Sequence, residues 1–188
     1  FYGIVLVDLC FIVISSLPRS INEYRQQGIL EEILYKNEWH IILSTFVWVL
    51  IVFIFKSFIY FSISSVLIDT PTTQNISFLK ITSILIPTFI SLMGLSIISA
   101  SYSIINLRSN ALEKIIMTAS TFLGGAFFSV NLLPSIFILV AQVLPITHAL
   151  NLVRNINAPF LNSGNFIALI FLSFLFNTIG YFLIKKSI

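Results

Sequence analysis

Arg19-Ser-Ile-Asn-Glu-Tyr-Arg-Gln-Gln-Gly-Ile-Leu-Glu-Glu-Ile-Leu-Tyr-Lys-Asn-Glu38 is a polar segment that lies between two long apolar segments. It carries seven of the seventeen charged side chains in this chain of 188 residues. Charged groups are costly in hydrocarbon, so the segment is predicted to lie in water between two membrane helices. The predicted membrane spans lie on either side of this segment.

The composition of the chain predicts an integral membrane protein. It is 57% hydrophobic and 9% charged, with a mean hydropathy of +1.02, whereas soluble domains are about 25% charged. A soluble domain of this length could not bury so much apolar surface. The net charge of +3 is spread along the chain, which argues against nucleic-acid binding. The single cysteine, Cys10, excludes a disulfide within the chain.

Five segments are predicted to span the membrane, because a helix needs roughly 20 apolar residues to cross a hydrocarbon core. They are residues 1–18, 41–66, 81–105, 115–131 and 166–184. Together they indicate a single all-α domain over residues 1–188.

The uncharged stretch 115–153 is too long for one span and barely long enough for two. Pro134 and Pro145 each disfavour helix in the residue before them. We therefore expect a span over 115–131 and then a pair of re-entrant helices over 133–156, which enter from the outer surface. Irregular backbone at membrane depth is tolerated where protein or water satisfies it.

The distribution of basic residues predicts the orientation of this five-span arrangement. Lys80 and Arg154 fall on one side, and Lys56 lies within a span. Seven basic residues fall on the other side, which is therefore predicted to be cytoplasmic and to contain the C-terminus. The seven are Arg19, Arg25, Lys36, Arg108, Lys114, Lys185 and Lys186.

Residues 20–36 show the three- and four-residue spacing of an amphipathic helix. Such a helix could rest on the membrane surface or dock into another protein. Surface-resting helices usually have a polar face rich in Lys and Arg. The acidic balance of this segment favours docking to a protein.

Three motifs resemble those of type-2 ABC exporter permeases, closest to the daunorubicin-resistance and nodulation-factor export branches. Arg25-Gln-Gln-Gly28-Ile-Leu-Glu31-Glu-Ile-Leu34 resembles the cytoplasmic coupling helix. Leu123-Gly-Gly-Ala-Phe-Phe128 with Leu132-Leu-Pro134 resembles the end of the fifth span. Pro145-Ile-Thr-His148-Ala-Leu-Asn-Leu-Val-Arg154 resembles the segment before the last span. The resemblance implies the last five of six spans, with the N-terminal part missing from this chain.

The resemblance also implies partners and residue roles. The chain would pair with a second permease subunit and bind ABC ATP-binding subunits at a bacterial inner membrane. ATP and magnesium would bind to those subunits, because this chain has no phosphate-loop motif. No cofactor or metal is expected in the chain itself.

The residues implied in coupling to the ATPase are Arg25, Gly28, Glu31 and Leu34. Those implied in an extracellular gate are Pro134, Pro145, His148 and Arg154. Gly28 would allow a close approach, and Arg25 and Glu31 would form charge-assisted hydrogen bonds.

Asp8 and Lys56 are ionisable residues within predicted spans, where a charge is a candidate functional group. Snorkelling of Lys56, a structural ion pair between the two and a role in substrate passage all remain open. A metal site with two histidines is not expected, because the only other histidine, His40, lies at the opposite face. His148 is therefore expected to cap or brace the re-entrant helices. No catalytic constellation is present in the sequence.

The expected function is ATP-driven export of an amphipathic substrate, such as a drug-like molecule, a lipid or a glycolipid. One alternative is an ATP-independent channel or secondary transporter, which usually has intramembrane charges at broken helices. A second alternative is a membrane-embedded transferase acting on a lipid substrate. Such an enzyme usually needs clustered carboxylates to hold magnesium, and no two aspartates lie close together in the sequence.

Overall fold

The computed structural model describes residues 2–67, 78–106, 111–155 and 163–187; at some of these, including 33–39, it describes the backbone alone. All regular structure within these ranges is helical, which confirms the predicted all-α fold. The helices are α1 (Tyr2–Gln26), α2 (Leu30–Leu67), α3 (Phe78–Ile105), α4 (Ala111–Leu123), a 3₁₀ turn (Val130–Leu132), α5 (Ser135–Val143), α6 (Pro145–Arg154) and α7 (Gly164–Ser187).

Four of these helices are long and apolar enough to cross a membrane. The suitable segments are Gly3–Gln26, His40–Tyr60, Lys80–Ile105 and Gly164–Lys186, in α1, α2, α3 and α7. Helices α5 and α6 qualify only as a pair and are bent by 90° to one another. The described part of the chain therefore provides four to five candidate spans, close to the predicted count.

The prediction of a span over 115–131 was wrong in where the helix begins and ends. Helix α4 has 13 residues and ends at Leu123, so it rises about 20 Å and is shorter than a bilayer core of about 30 Å. It stops because Gly124 and Gly125 follow, and Gly125 has a φ of +83°. A left-handed backbone of this kind ends a helix and strongly favours glycine.

The structure also differs from the prediction that one span ends at Pro18 and a separate helix covers 20–36. Helix α1 continues through Pro18 to Gln26, and α2 begins after a turn at residues 27–29. Pro18 cannot donate to the carbonyl of Ile14 four residues earlier. The hydroxyl of Ser96 on α3 donates to that carbonyl instead, at 3.0 Å. A neighbouring helix thus compensates for the proline.

The long helices have defined relative directions. Helix α1 runs parallel to α3, because Ser16 lies beside Ser96 and Arg25 lies beside Ser103. Helix α7 is also parallel to α3, since the Asn177 side-chain amide donates to the carbonyl of Ile90 and Gly180 lies against α3 further along. Helices α1, α3 and α7 therefore end at one end of the bundle, which we call the hairpin end. The opposite end is the elbow end.

Helix α3 lies at the centre of the bundle and packs closely against α7 through two glycines. A Cβ on Gly94 would lie 2.7 Å from the Cβ of Phe176, and a Cβ on Gly180 would lie 2.8 Å from a methyl carbon of Ile97. Small residues allow such close approach between membrane helices.

Helix α4 runs from the hairpin end to the elbow end. Its start lies near Arg19, and the residues after it reach the start of α1, where a Cβ on Gly3 would meet the Ala126 carbonyl oxygen at 2.8 Å. Because α7 also begins at the elbow end, the α5–α6 pair leaves and returns to the same end of the bundle.

Candidate functional site

The tip of the α1–α2 hairpin is closed by a well-defined helix cap. Gly28 has a φ of +73°, the amide of Gly28 donates to the carbonyl of Arg25, and the amide of Ile29 donates to the carbonyl of Tyr24. These two bonds around a left-handed glycine form a Schellman motif, the commonest way to end a helix at glycine. No described residue lies within 4 Å of a Cβ placed on Gly28, so its backbone conformation gives the local reason for glycine.

The tip exposes acidic and amide side chains. Glu31 is exposed, whereas Ile21 and Leu30 are buried against the rest of the bundle. Part of the predicted apolar stripe thus faces the protein's own core. The side chain of Leu34 lies outside the described residues. The exposed residues of the tip are Glu23, Gln26, Gln27, Gly28, Glu31 and Glu32.

Arg25 contacts the protein's own backbone. One guanidinium nitrogen donates to the carbonyl of Ser103 in the last turn of α3 at 2.7 Å, and another donates to the side-chain oxygen of Asn22 at 3.3 Å. The last carbonyls of a helix lack partners within it and carry a partial negative charge. Arg25 therefore caps α3 and joins it to the end of α1, so its guanidinium is already engaged within the chain.

A cavity of about 680 Å³ lies between α1, α2 and α4 on the side of the hairpin end. Arg19 and Glu23 are exposed at its border, and Trp48 and Val52 form part of its apolar wall. The cavity is therefore amphipathic. The sequence-based interpretation missed it. The signal was a row of small polar residues on α1, namely Ser15, Ser16 and Ser20.

Asp8, Lys56 and Tyr60 form a polar cluster between α1 and α2. The Lys56 ammonium donates to Asp8 Oδ2 at 2.9 Å, and the Tyr60 hydroxyl donates to the same oxygen at 2.7 Å. The sequence left several interpretations of Asp8 and Lys56 open, and the structure shows the ion pair between them. Tyr60 was not anticipated, although it lies one helical turn from Lys56 on the same face.

Glu113, in the first turn of α4, is a buried carboxyl at the hairpin end. It is 8% exposed, and its Oε2 makes no hydrogen bond to the described part of the chain. Burial raises the pKa of Glu113, and the nearby positive charges of Arg19 and Lys114 oppose this shift.

At the elbow end, His148 connects three helices. Its Nε2 donates to the backbone carbonyl of Gln142 on α5 at 2.8 Å, and its Nδ1 lies 3.0 Å from the side-chain oxygen of Asn165 on α7. The Gln142 carbonyl can only accept a hydrogen bond, so Nε2 carries a proton. His148 therefore braces the bend between α5 and α6 against the first turn of α7.

The other residues of the predicted gate occupy separate positions around this bend. Pro145 is the buried first residue of α6, and Pro134 precedes α5 and is exposed. Arg154 ends α6 and donates to the carbonyl of Gly125 at 2.6 Å. The structure thus places these residues on one α5–α6 unit without bringing them into one cluster.

Among the described residues, no group of three or more His, Cys, Asp or Glu side chains could hold a metal ion. No protein-family model, curated protein or solved structure matches this chain.

Proposed function

We propose that this chain is the transmembrane subunit of an ATP-driven exporter of the type-2 ABC kind. It would pair with a second permease subunit in a bacterial inner membrane and move an amphipathic molecule. The hairpin end would face the cytoplasm and bind a separate ATP-binding subunit. The observation that carries this proposal is the exposed acidic tip of the α1–α2 hairpin, which Arg25 joins to α3.

The first support is the reach of the tip. Helix α2 begins at Leu30, but its apolar segment begins at His40. Ten residues of helix rise about 15 Å, so α2 extends well beyond its candidate span. Its exposed Glu31 and Glu32 favour a partner with a basic surface, because complementary charge guides and orients association.

The second support is the connection from the tip into the bundle. A partner can shift a transporter between states only through a difference in its affinity for those states. The Arg25–Ser103 and Ser96–Ile14 hydrogen bonds join α1 to α3 at two levels. A force on the tip is therefore expected to move α1 and α3 together.

The third support is the amphipathic cavity between α1, α2 and α4. Its volume of about 680 Å³ lies in the range of small-molecule sites. An amphipathic substrate would place its polar group near Arg19 and Glu23 and its apolar part beside Trp48.

The coupling proposal can be tested by affinity purification of the tagged chain from its native membranes, followed by identification of a copurified phosphate-loop ATPase. We expect Glu31→Arg to reduce the recovered ATPase at least tenfold, because it reverses a charge at the proposed contact. Ser135→Arg, at an exposed position of the elbow end, is the matched control and should leave recovery unchanged. Equal recovery with wild type and Glu31→Arg would contradict the proposal.

A second candidate, ATP-independent secondary transport, is favoured by one observation, the Asp8–Lys56–Tyr60 cluster within the spans. Transport in proteoliposomes separates the two candidates. The exporter proposal expects uptake that requires ATP and the partner ATPase. Uptake driven by a pH gradient without ATP, and lost in Asp8→Asn, would favour the secondary transporter.

A further inference from the structure

We propose that a cavity at the elbow end binds an uncharged, hydroxyl-rich group such as a sugar. This cavity, the elbow cavity, has a volume of about 510 Å³ and lies between the 3₁₀ turn, α5, α6 and α7. Its volume lies in the range of small-molecule sites. The inference rests on the elbow cavity alone and is independent of any ATP-binding partner.

The lining of the elbow cavity is polar but carries no Asp, Glu, Lys or Arg among the described residues. A charged ligand would leave water without a counter-charge, which is costly. An uncharged ligand avoids this cost. The chemistry of the walls therefore favours an uncharged ligand over the phosphate or carboxylate of an anionic molecule.

Side-chain amides supply most of the polar lining. Asn131, Gln142 and Asn151 each line the elbow cavity, and their amides make no hydrogen bond to the described part of the chain. An amide offers two donors and one acceptor oxygen, whereas a hydroxyl offers one donor and two acceptor lone pairs. Three such amides can therefore bond to several hydroxyl groups of one ligand.

The walls are held in place before any ligand binds. His148 bonds to the backbone of Gln142 and to the side chain of Asn165, and both of these residues line the elbow cavity. Such bracing lowers the ordering cost of binding. Phe171 and Leu172 of α7 supply an apolar wall against which the C–H face of a sugar ring can pack.

The hydroxyl-rich group could belong to a free sugar or to the headgroup of a glycolipid, and two probes separate these sources. The purified full chain in phosphatidylcholine nanodiscs is examined with maltose by saturation-transfer NMR. The same preparation, with diglucosyl-diacylglycerol added, is examined by native mass spectrometry of retained lipid. Diacylglycerol and phosphatidylglycerol are the lipid controls, because the first lacks the sugar and the second is anionic.

We expect wild type to bind maltose, to retain the glycolipid in preference to both control lipids, or to do both. The double variant Gln142→Leu/Asn151→Leu should weaken this binding at least tenfold. Leucine is a better helix former than asparagine, so the fold should be kept. Asn106→Leu, an exposed asparagine at the hairpin end, is the matched control and should bind as wild type does.

Binding of maltose would show that a free sugar is sufficient for binding to the elbow cavity. Retention of the glycolipid without binding of maltose would show that the ligand is a lipid-linked headgroup. Three results would overturn the proposal: neither sugar probe binds, the double variant binds as wild type does, or phosphatidylglycerol is preferred. No ATPase is present in this experiment, so its outcome is separate from that of the Glu31→Arg test.

Discussion

The two ends of the bundle use the same device in different surroundings. At the hairpin end Arg25 donates to the Ser103 carbonyl at 2.7 Å, and at the elbow end Arg154 donates to the Gly125 carbonyl at 2.6 Å. Each bond caps backbone at or just beyond the end of a helix. Arg25 is half-buried between two long helices, whereas Arg154 is exposed at the end of a short one. The same bond should therefore contribute more stability at the hairpin end.

The surroundings of the two arginines also suit different partners. The hairpin end presents exposed carboxylates on a helical tip, which suit a charged protein surface. The elbow end presents Asn131, Gln142 and Asn151, whose amides make no hydrogen bond to the described residues and which suit an uncharged ligand. Charge placement rather than backbone architecture distinguishes the proposed protein contact from the proposed ligand site.

The largest expected effect comes from replacing the two arginines. Arg25→Met should lower the free energy of unfolding by about 2 kcal/mol, because a half-buried charge-assisted bond is lost and a helix-end carbonyl stays unpaired. Arg154→Met should cost about 1 kcal/mol or less, because Arg154 is exposed and water competes for its guanidinium in the folded state. The measurement is unfolding of both variants in mixed micelles by SDS titration. Equal costs would contradict the distinction between the two ends.

The second-largest expected effect comes from replacing Ser96, whose hydroxyl joins α1 to α3 beside Pro18. Ser96→Ala removes the donor that serves the Ile14 carbonyl beside Pro18, and should cost about 1 kcal/mol because that buried acceptor is left unpaired. Ser101→Ala is the matched control. Its hydroxyl is also buried but donates to the Ile97 carbonyl of its own helix, which keeps a backbone partner. Equal unfolding free energies of the two variants would show that Ser96 does not compensate for Pro18.

The sequence predicted the long helices well because hydropathy over 20 residues is a strong signal. It also predicted the bend before Pro145, where Leu144 is extended as the proline requires. It missed the turn at Gly28, because Ile21 on one arm and Leu30 on the other are both buried and the apolar spacing continues across the turn. It placed the end of α4 too late, because Gly124 and Gly125 interrupt the helix without lowering the apolar character of the segment.

Contacts between distant residues were harder to predict. The Asp8–Lys56 pair was foreseen as one of several interpretations, because two opposite charges in apolar spans need neutralisation. The close approach of α3 and α7 was not foreseen, since Gly94 and Gly180 are isolated glycines far apart in the sequence. The elbow cavity was also missed, because four elements supply its amides and no short motif contains them.

The smallest expected effect is a pH dependence at the hairpin end. The pKa of Glu113 is raised by burial, so the folded state binds its proton more tightly than the unfolded state does, whose glutamate pKa is about 4.3. Stability from this group is therefore full below that value and is lost as the pH rises through the folded-state pKa. Glu113→Gln removes the ionisation, so its melting temperature should match that of wild type near pH 4 and exceed it increasingly toward pH 7.5. Glu32→Gln, at an exposed carboxylate, controls for the loss of one negative charge. A difference between Glu113→Gln and wild type that stays constant with pH would show that ionisation of Glu113 does not destabilise the hairpin end.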